Sequence, residues 1–558
     1  MNKLPVAIGV DDYLSVKTKY YVDKTKIIED LIEQALGGTV LITRPRRFGK
    51  SLTLSTLEYF FTNEKDYSAS FADTAIAKNK RICGEYQNKY PVIHFNLKDI
   101  DGNNAEEIIA SVTDQVSLLF RRFSFLSDSE RLLPIEREEF IQIMDKKADA
   151  VLLRSCLRRL SGFLSKHFQS KVILLIDEYD SPVERAYERG CYGECMSFIR
   201  PIYSSALKGN GDLLFAVVTG VLQIAKESVF SGLNNLLVAS SNDRFLNQYF
   251  GFTEEETKKA LDYYGLGDDF ETVRRWYGGY NLSVGQEMFN PWSIMSFIAN
   301  GVTDTYWVNT GSNELLRMIF SDYPVGERVF ALVGTHYPTI QFAKEINYNN
   351  ISDNDESLIS FLLQTGYLTF RKEESSFTLA LPNQEIRNLF RQEILNVNPS
   401  RFGYSRAATL VRVLDAGDEK GVEDALRQYV LDCFSYYDLK EEKDYQIALT
   451  GLLGVLFETH VVHSEVNAGQ GRCDILISPK KPHQAGYLFE LKHSKAKKEP
   501  SASNLKKIAD SALRQIQEKR YYVELQQRGA HPIHCYGIAF CKKNNAVSHA
   551  ILDLDGKE

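Results

Sequence analysis

The stretch Thr39-Val40-Leu41-Ile42-Thr43-Arg44-Pro45-Arg46-Arg47-Phe48-Gly49-Lys50-Ser51 decides the fold of the N-terminal half. Its first five residues form an apolar run of the length of a buried strand, and a helical pattern follows at once. Gly49, Lys50 and Ser51 fill the last positions of GxxxxGK[ST]. In that pattern backbone N–H groups face a phosphate, the Lys ammonium neutralises it and the hydroxyl is placed for Mg²⁺. Arg44 stands where the pattern has its first glycine, so the turn must begin without the positive φ that glycine adopts cheaply.

Outward from this turn, Pro91 to Leu97, Lys171 to Ile176 and Leu213 to Thr219 read as further buried strands, and residues 104 to 170 as mostly helical. Strands separated by helices predict a parallel α/β sheet. The third strand runs into Asp177-Glu178, which places acids at the carboxyl edge, where ligands bind in open α/β folds. There Asp177 can hold Mg²⁺ through water, and Glu178 can orient a water attacking a γ-phosphate.

The chain has 558 residues, enough for three or four domains. With 44% hydrophobic and 25% charged residues it has globular composition, and its formal charge of -7 excludes a globally basic nucleic-acid coat. The start lacks a long signal-like apolar run, and no stretch reaches membrane-spanning length. Eight scattered cysteines, of which only Cys191 and Cys195 are close, predict reduced thiols and a cytoplasmic location.

Together Tyr21 to Thr25, Arg44 to Ser51, Ile176 to Asp180, Thr219-Gly220-Val221 and Lys226 to Leu236 resemble the bacterial AAA-ATPase-like family, over about residues 4 to 290. The resemblance implies a P-loop NTPase fold, with Thr219 as a polar sensor of the γ-phosphate. It also implies a nuclease domain near the C-terminus. The expected nucleotide-binding set is Arg46, Arg47, Gly49, Lys50, Ser51, Asp177 and Thr219, with Glu178 catalytic and ATP and Mg²⁺ as cofactors.

In the C-terminal part Gly471-Arg472-Cys473-Asp474 opens one strand and Tyr487-Leu488-Phe489-Glu490-Leu491-Lys492 forms the next. A period of two puts Glu490 and Lys492 on one face, and pairing of the two strands would bring Asp474 to the same end. Two carboxylates there can hold Mg²⁺ or Mn²⁺ beside a scissile phosphate, and the Lys492 ammonium can position a water or offset charge. This arrangement resembles the PD-(D/E)XK nuclease superfamily, and Gln515 in Ala512-Leu513-Arg514-Gln515-Ile516 looks like its auxiliary glutamine. Glu442 and Glu465 both stay open as a further acid.

The C-terminal part, 441 to 558, carries about +3 in an acidic chain, with Lys480, Lys481, Lys492, Lys495, Lys497, Lys498, Lys506 and Lys507 clustered. That run is either a solvated face or a track for a phosphate backbone. The histidines concentrated there lack close ligand spacing and read as surface or strand residues.

The expected architecture is α/β throughout. An AAA-ATPase-like P-loop domain spans 1–255, a helical lid region 256–345, a winged-helix-like module 346–395 and a helical linker 396–440. A restriction-endonuclease-like domain at 441–558 completes the chain. The winged-helix-like module is expected to be a lid or docking element, because Leu381 to Arg387 has one basic residue, too few for groove binding. The expected function is ATP binding coupled to metal-dependent nucleic-acid cleavage, with DNA the first expectation. The alternative is a nucleotide-controlled binding or signalling switch that does not cut. Assembly into a homo-oligomer stays open, and no membrane partner is expected.

Overall fold

Five short apolar runs make one parallel sheet: β1 (Thr39–Thr43), β2 (Val92–Asn96), β3 (Val172–Asp177), β4 (Leu213–Gly220) and β5 (Leu236–Ala239). Every residue of β1 and β3 is buried, as expected of strands covered by helices on both faces. The spatial order is β2-β3-β4-β1-β5. Because β4 lies between β1 and β3, its carboxyl end separates the Gly49-Lys50 turn from Asp177-Glu178.

The structure is a computed structural model. It describes residues 3–224, 235–241, 243, 245–281, 287–307, 336–337, 345–346, 348, 351, 355–372, 377–397, 404–433, 445–446, 449, 453, 456, 459–494, 500–541 and 544–552. The expected motif residues Lys226 to Asn234, the candidate acid Glu442 and Lys495, Lys497 and Lys498 lie outside the described residues, as does the Glu465 side chain. The chain divides into two compact units. One comprises Met1–Leu315, Ile340–Lys372 and Leu381–Asn388, and the other Leu316–Thr339, Glu373–Ala380 and Leu389–Glu558.

In the first unit the helix Lys50–Phe61 begins at Gly49, whose φ of 89° is the left-handed geometry that favours glycine. Leu54, Leu57, Phe60 and Phe61 of this helix join Ile173 and Leu175 of β3 and Phe215 and Val217 of β4 in one core. That packing anchors the first turn of the helix to the carboxyl edge of the sheet.

The expected lid region is not helical throughout. Its helices Glu254–Tyr264, Phe270–Tyr277 and Pro291–Asn300 surround a sheet of three short strands, Phe252–Thr253, Glu287–Phe289 and Tyr280–Asn281. Strands of two or three residues leave no period to read in a sequence. The winged-helix-like order of helix, two strands and helix is present as Asp355–Gln364, Thr369–Lys372, Phe377–Ala380 and Gln384–Val397.

The second unit contains a five-stranded sheet of His460–Ala468, Gly471–Pro479, Gly486–His493, Ile533–Cys541 and Asn544–Leu552, adjacent in that order. Gly486–His493 and Ile533–Cys541 run parallel, and the other pairs antiparallel. The parallel pair is joined through the helix Ala502–Glu518. Leu410, Leu414, Val422 and Leu426, on the helices Tyr404–Asp415 and Glu419–Cys433, are buried in one core with Ile475, Phe489 and Tyr536. These helices are therefore a packed layer of this domain, where the sequence reading has a linker. Tyr445, Leu449, Leu453 and Leu456 belong to the same core.

Gly537, in the middle of Ile533–Cys541, explains how closely the helix Ala502–Glu518 lies on the sheet. A Cβ there would stand 2.2 Å from the Ala509 carbonyl and 2.4 Å from the Leu513 nitrogen, so backbone would have to move. Gly537→Ala is expected to cost about 1–3 kcal/mol, the usual range for overpacking. It should also weaken any activity that uses Gln515, which this helix carries. Denaturant melting checks the first outcome; an unshifted midpoint would contradict the close packing.

Candidate functional site

The turn from Arg44 to Gly49 gets its shape from which residues adopt left-handed backbone. Arg47 (φ 68°) and Gly49 (φ 89°) do, and Arg44 does not, as its replacement of the first glycine requires. Arg44 instead points inward and is fully buried. Its Nη1 donates to the carbonyls of Thr43 at 2.8 Å and Ala239 at 2.6 Å, and its guanidinium lies 4.9 Å from the Phe250 ring centre. Burial pushes its pKa down to about 9. Arg44 thus ties the start of the turn to β5.

The next cations are also held internally. Arg46 makes a two-point contact with Glu184, which raises its pKa, and its carbonyl accepts the Trp307 Nε1 proton at 2.9 Å. Arg47 places its guanidinium 4.2 Å from the Trp292 ring centre. Lys50 is buried and donates from Nζ to the carbonyls of Arg44 and Pro45, both at 3.0 Å. Burial lowers the Lys50 pKa, opposed by the nearby Glu178, Asp180 and Asp177.

At the facing edge, Thr219 Oγ1 donates to Asp177 Oδ1 at 2.5 Å. Asp177 is fully buried, and its Oδ2 has no hydrogen-bond partner among the described residues. A buried orphan carboxylate oxygen is costly, and a hard cation or its water would satisfy it. Asp177 therefore fits a Mg²⁺ site, and Ser51 is the hydroxyl that the GxxxxGK[ST] pattern would supply to it. Glu178 follows in left-handed backbone (φ 53°), and burial raises its pKa, with Lys50 opposing. Arg46 to Ser51 and Glu178 line a cavity of about 380 Å³ whose other walls include Tyr20, Tyr21 and Trp292. That volume is within the range of small-molecule sites.

Asp180 is a site residue whose role sequence reasoning missed. Its carboxylate accepts the backbone N–H groups of Val221 at 2.7 Å and Leu222 at 2.8 Å, fastening the turn after β4. Burial pushes its pKa up to about 6. A Cβ on Gly220 would lie 2.6 Å from Asp180 Oδ1, which accounts for glycine in Thr219-Gly220-Val221. The juxtaposition of an acid at 180 with a glycine at 220 carries no local signal, because it arises only when β3 and β4 pair.

Residues after the helix Asp355–Gln364 pack against the same turn. A Cβ on Gly366 (φ 84°) would lie 2.9 Å from the Pro45 side chain, and Gln364 Oε1 accepts the Gln223 N–H at 2.7 Å. Glu385 is buried and accepts the Trp307 backbone N–H and the Ser293 hydroxyl proton, at 2.5 and 2.9 Å. Burial pushes its pKa up to about 7.

In the second unit, pairing of Ile475 with Phe489 carries the next register position to Asp474 and Glu490. Asp474 Oδ2 accepts the Leu491 N–H at 2.7 Å, which draws the two strand ends together. Glu490 is 2% exposed, and its Oε1 accepts protons from Lys492 Nζ at 2.9 Å and from Gln515 Nε2. Gln515 also donates to Tyr521 Oη at 3.3 Å. The structure thus brings Asp474, Glu490, Lys492 and Gln515 to one sheet end, where two hard-oxygen carboxylates fit Mg²⁺ or Mn²⁺. Gln515 contacts the carboxylate itself, where the sequence reading gives it a water or a metal-bound oxygen.

Of the clustered lysines, Lys506 is paired with Glu419 at 2.6 Å. His534 Nδ1 and His549 Nε2 lie 3.2 Å apart, and burial, reinforced by His534, pushes the His549 pKa down to about 4. His460 Nε2 bonds to the Ala485 carbonyl at 2.7 Å.

One unit therefore carries a P-loop nucleotide fold and the other a restriction-endonuclease-like fold. Residues 7–230 match the family model described as predicted AAA-ATPase, and residues 440–550 match that of the PD-(D/E)XK nuclease superfamily, so the two matches lie in the expected order. It is also similar to a protein of Azotobacter chroococcum mcd 1 described as an uncharacterized protein in the vnfD 5' region. The two are 24% identical over 577 aligned residues, with 100% of each chain covered. Among the described residues no helix is long and apolar enough to cross a membrane.

Proposed function

We propose that this chain binds and hydrolyses ATP in its first unit and uses that cycle to control metal-dependent phosphodiester hydrolysis of nucleic acid, DNA first, in its second. The observation that carries the reading is the convergence of Asp474, buried Glu490, Lys492 and Gln515 at one sheet end. A strand with ordinary surface charges has no reason to bury a glutamate and hold it with both an ammonium and an amide.

In the ATP site Lys50 and the backbone of the turn bind the phosphates, Ser51 and Asp177 hold Mg²⁺, Thr219 orients Asp177 and Glu178 orients water. In the nuclease site Asp474 and Glu490 hold the cation, Gln515 fixes Glu490, and Lys492 positions the water or offsets the charge that develops on the phosphate. When bound, Mg²⁺ or Mn²⁺ supplies Lewis acidity and charge neutralisation at the phosphates. We assign the packed helices from Tyr404 to the nuclease domain and read residues 355–372 and 381–388 as a lid on the nucleotide turn. A cytoplasmic location fits the scattered thiols.

The test is a cleavage assay on plasmid, linear and single-stranded substrates, with and without ATP and Mg²⁺. The expected result is metal-dependent cutting whose rate changes with ATP. Nucleic-acid binding that responds to ATP with no cutting under any condition would replace this reading with the binding switch.

A further inference from the structure

Arg46 and Glu184 stand 138 residues apart in the chain and meet on the wall of the nucleotide cavity. Arg46 Nη2 donates to both carboxylate oxygens of Glu184, at 2.9 and 3.0 Å. The side chains are 36% and 18% exposed, so the pair is only partly screened by water. Both line the space that also holds Lys50, Glu178 and Glu188.

The two cations of the turn differ in what they must give up. Lys50 rests on two neutral carbonyls, so a phosphate replaces weak dipoles with a full charge. Arg46 rests on a carboxylate, a full charge that a phosphate must match to displace it. An arriving phosphate chain must therefore compete with Glu184 for Arg46 Nη2.

We infer that Glu184 is a built-in competitor for the phosphate chain: it holds Arg46, and a nucleoside di- or triphosphate binds by taking Arg46 from it. The inference rests on the ATP-binding reading above. Exchange of this kind lowers the apparent affinity by the fraction of molecules in which Arg46 is engaged. It also favours ligands with enough phosphate charge to win the guanidinium, so ATP and ADP gain over AMP. Glu184 lies on the helix Ser181–Glu188, which follows directly on Asp177-Glu178, so the exchange acts beside the acids that serve hydrolysis.

The experiment titrates ATP, ADP and AMP in Mg²⁺ buffer into the full chain and into Glu184→Gln, Arg46→Ala, the double variant and Lys50→Ala, with a melting profile for each. Glu184→Gln is expected to bind ATP roughly three- to tenfold more tightly, the size of removing one partly screened competing charge. The gain should be smaller for AMP and absent when Arg46 is already Ala, as a double-mutant cycle requires of a pairwise effect. Unchanged or weaker ATP binding in Glu184→Gln with a parent-like melting profile would overturn the inference and make the pair a simple fastening. If Glu184→Gln melts well below the parent, Glu184→Asp, which shortens the side chain and breaks the two-point contact, is read by the same criteria. A parent that binds no ATP, or a Lys50→Ala variant that binds like the parent, would instead overturn the nucleotide reading beneath it.

Discussion

Asp474→Asn is expected to lower metal-dependent cleavage on the order of 10³-fold while leaving the fold intact. The reason lies in the two separate jobs of this side chain. One is structural: Oδ2 accepts the Leu491 N–H at 2.7 Å and closes the strand end. An asparagine carbonyl can take that proton, so the ladder survives. The other is electrostatic, and there a neutral amide fails, because phosphate and carboxylate approach closely only with a cation between them. Asp474→Ala loses both jobs and is expected to lose metal binding as well as turnover. Lys492→Ala separates the roles again. It should spare metal binding yet cost turnover about 10²-fold, since Lys492 acts on the water or the developing charge. Cleavage by rate assay, metal affinity by Mn²⁺ titration and melting midpoints together check the set. If Asp474→Asn, with an unchanged melting profile, cut as fast as the parent, the nuclease assignment would fall.

The parts of this molecule legible from sequence are those in which chemistry and local periodicity coincide. Thr39 to Thr43 and Val172 to Asp177 read as buried strands because parallel strands need no polar face, and the motif residues proposed for the site follow close behind them. Glu490 and Lys492 could be paired from the two-residue period alone. The parts that could not be read depend on long-range pairing. Nothing near Asp180 signals that it fastens residues 221 and 222, and nothing near Arg46 signals Glu184. The helices Tyr404–Asp415 and Glu419–Cys433 read as a linker because their amphipathic pattern names a buried face without naming what buries it. Their partner, the sheet carrying Phe489 and Tyr536, comes later in the chain. Gly537 was the subtler loss. A glycine inside a strand pattern does mark a close approach, but which helix approaches emerges only from its contacts with Ala509 and Leu513.

In the other unit, Lys50→Ala and Glu178→Gln are expected to fail in opposite ways. Lys50 is the buried cation nearest the turn's own carbonyls, and its removal takes away the charge that must meet the phosphates. ATP affinity should fall on the order of 10²-fold, a loss of two to three kcal/mol that is usual for a charged partner. The carbonyls of Arg44 and Pro45 would then face the cavity, where water can replace the ammonium, so stability should change by only about 1 kcal/mol. Glu178→Gln keeps shape and hydrogen-bonding reach but cannot attract a proton from water. It also removes a negative charge from a wall of the cavity that Glu184 shares, so ATP binding should be preserved or strengthened. Turnover should fall about 10²- to 10³-fold, which traps ATP unhydrolysed. Nucleotide titration and single-turnover hydrolysis on the same preparations separate the two effects. The contrast between them carries the assignment: a protein in which both substitutions lowered affinity equally would have a phosphate-binding wall without a hydrolytic acid. A protein in which neither changed affinity or turnover would bind its nucleotide somewhere other than this cavity.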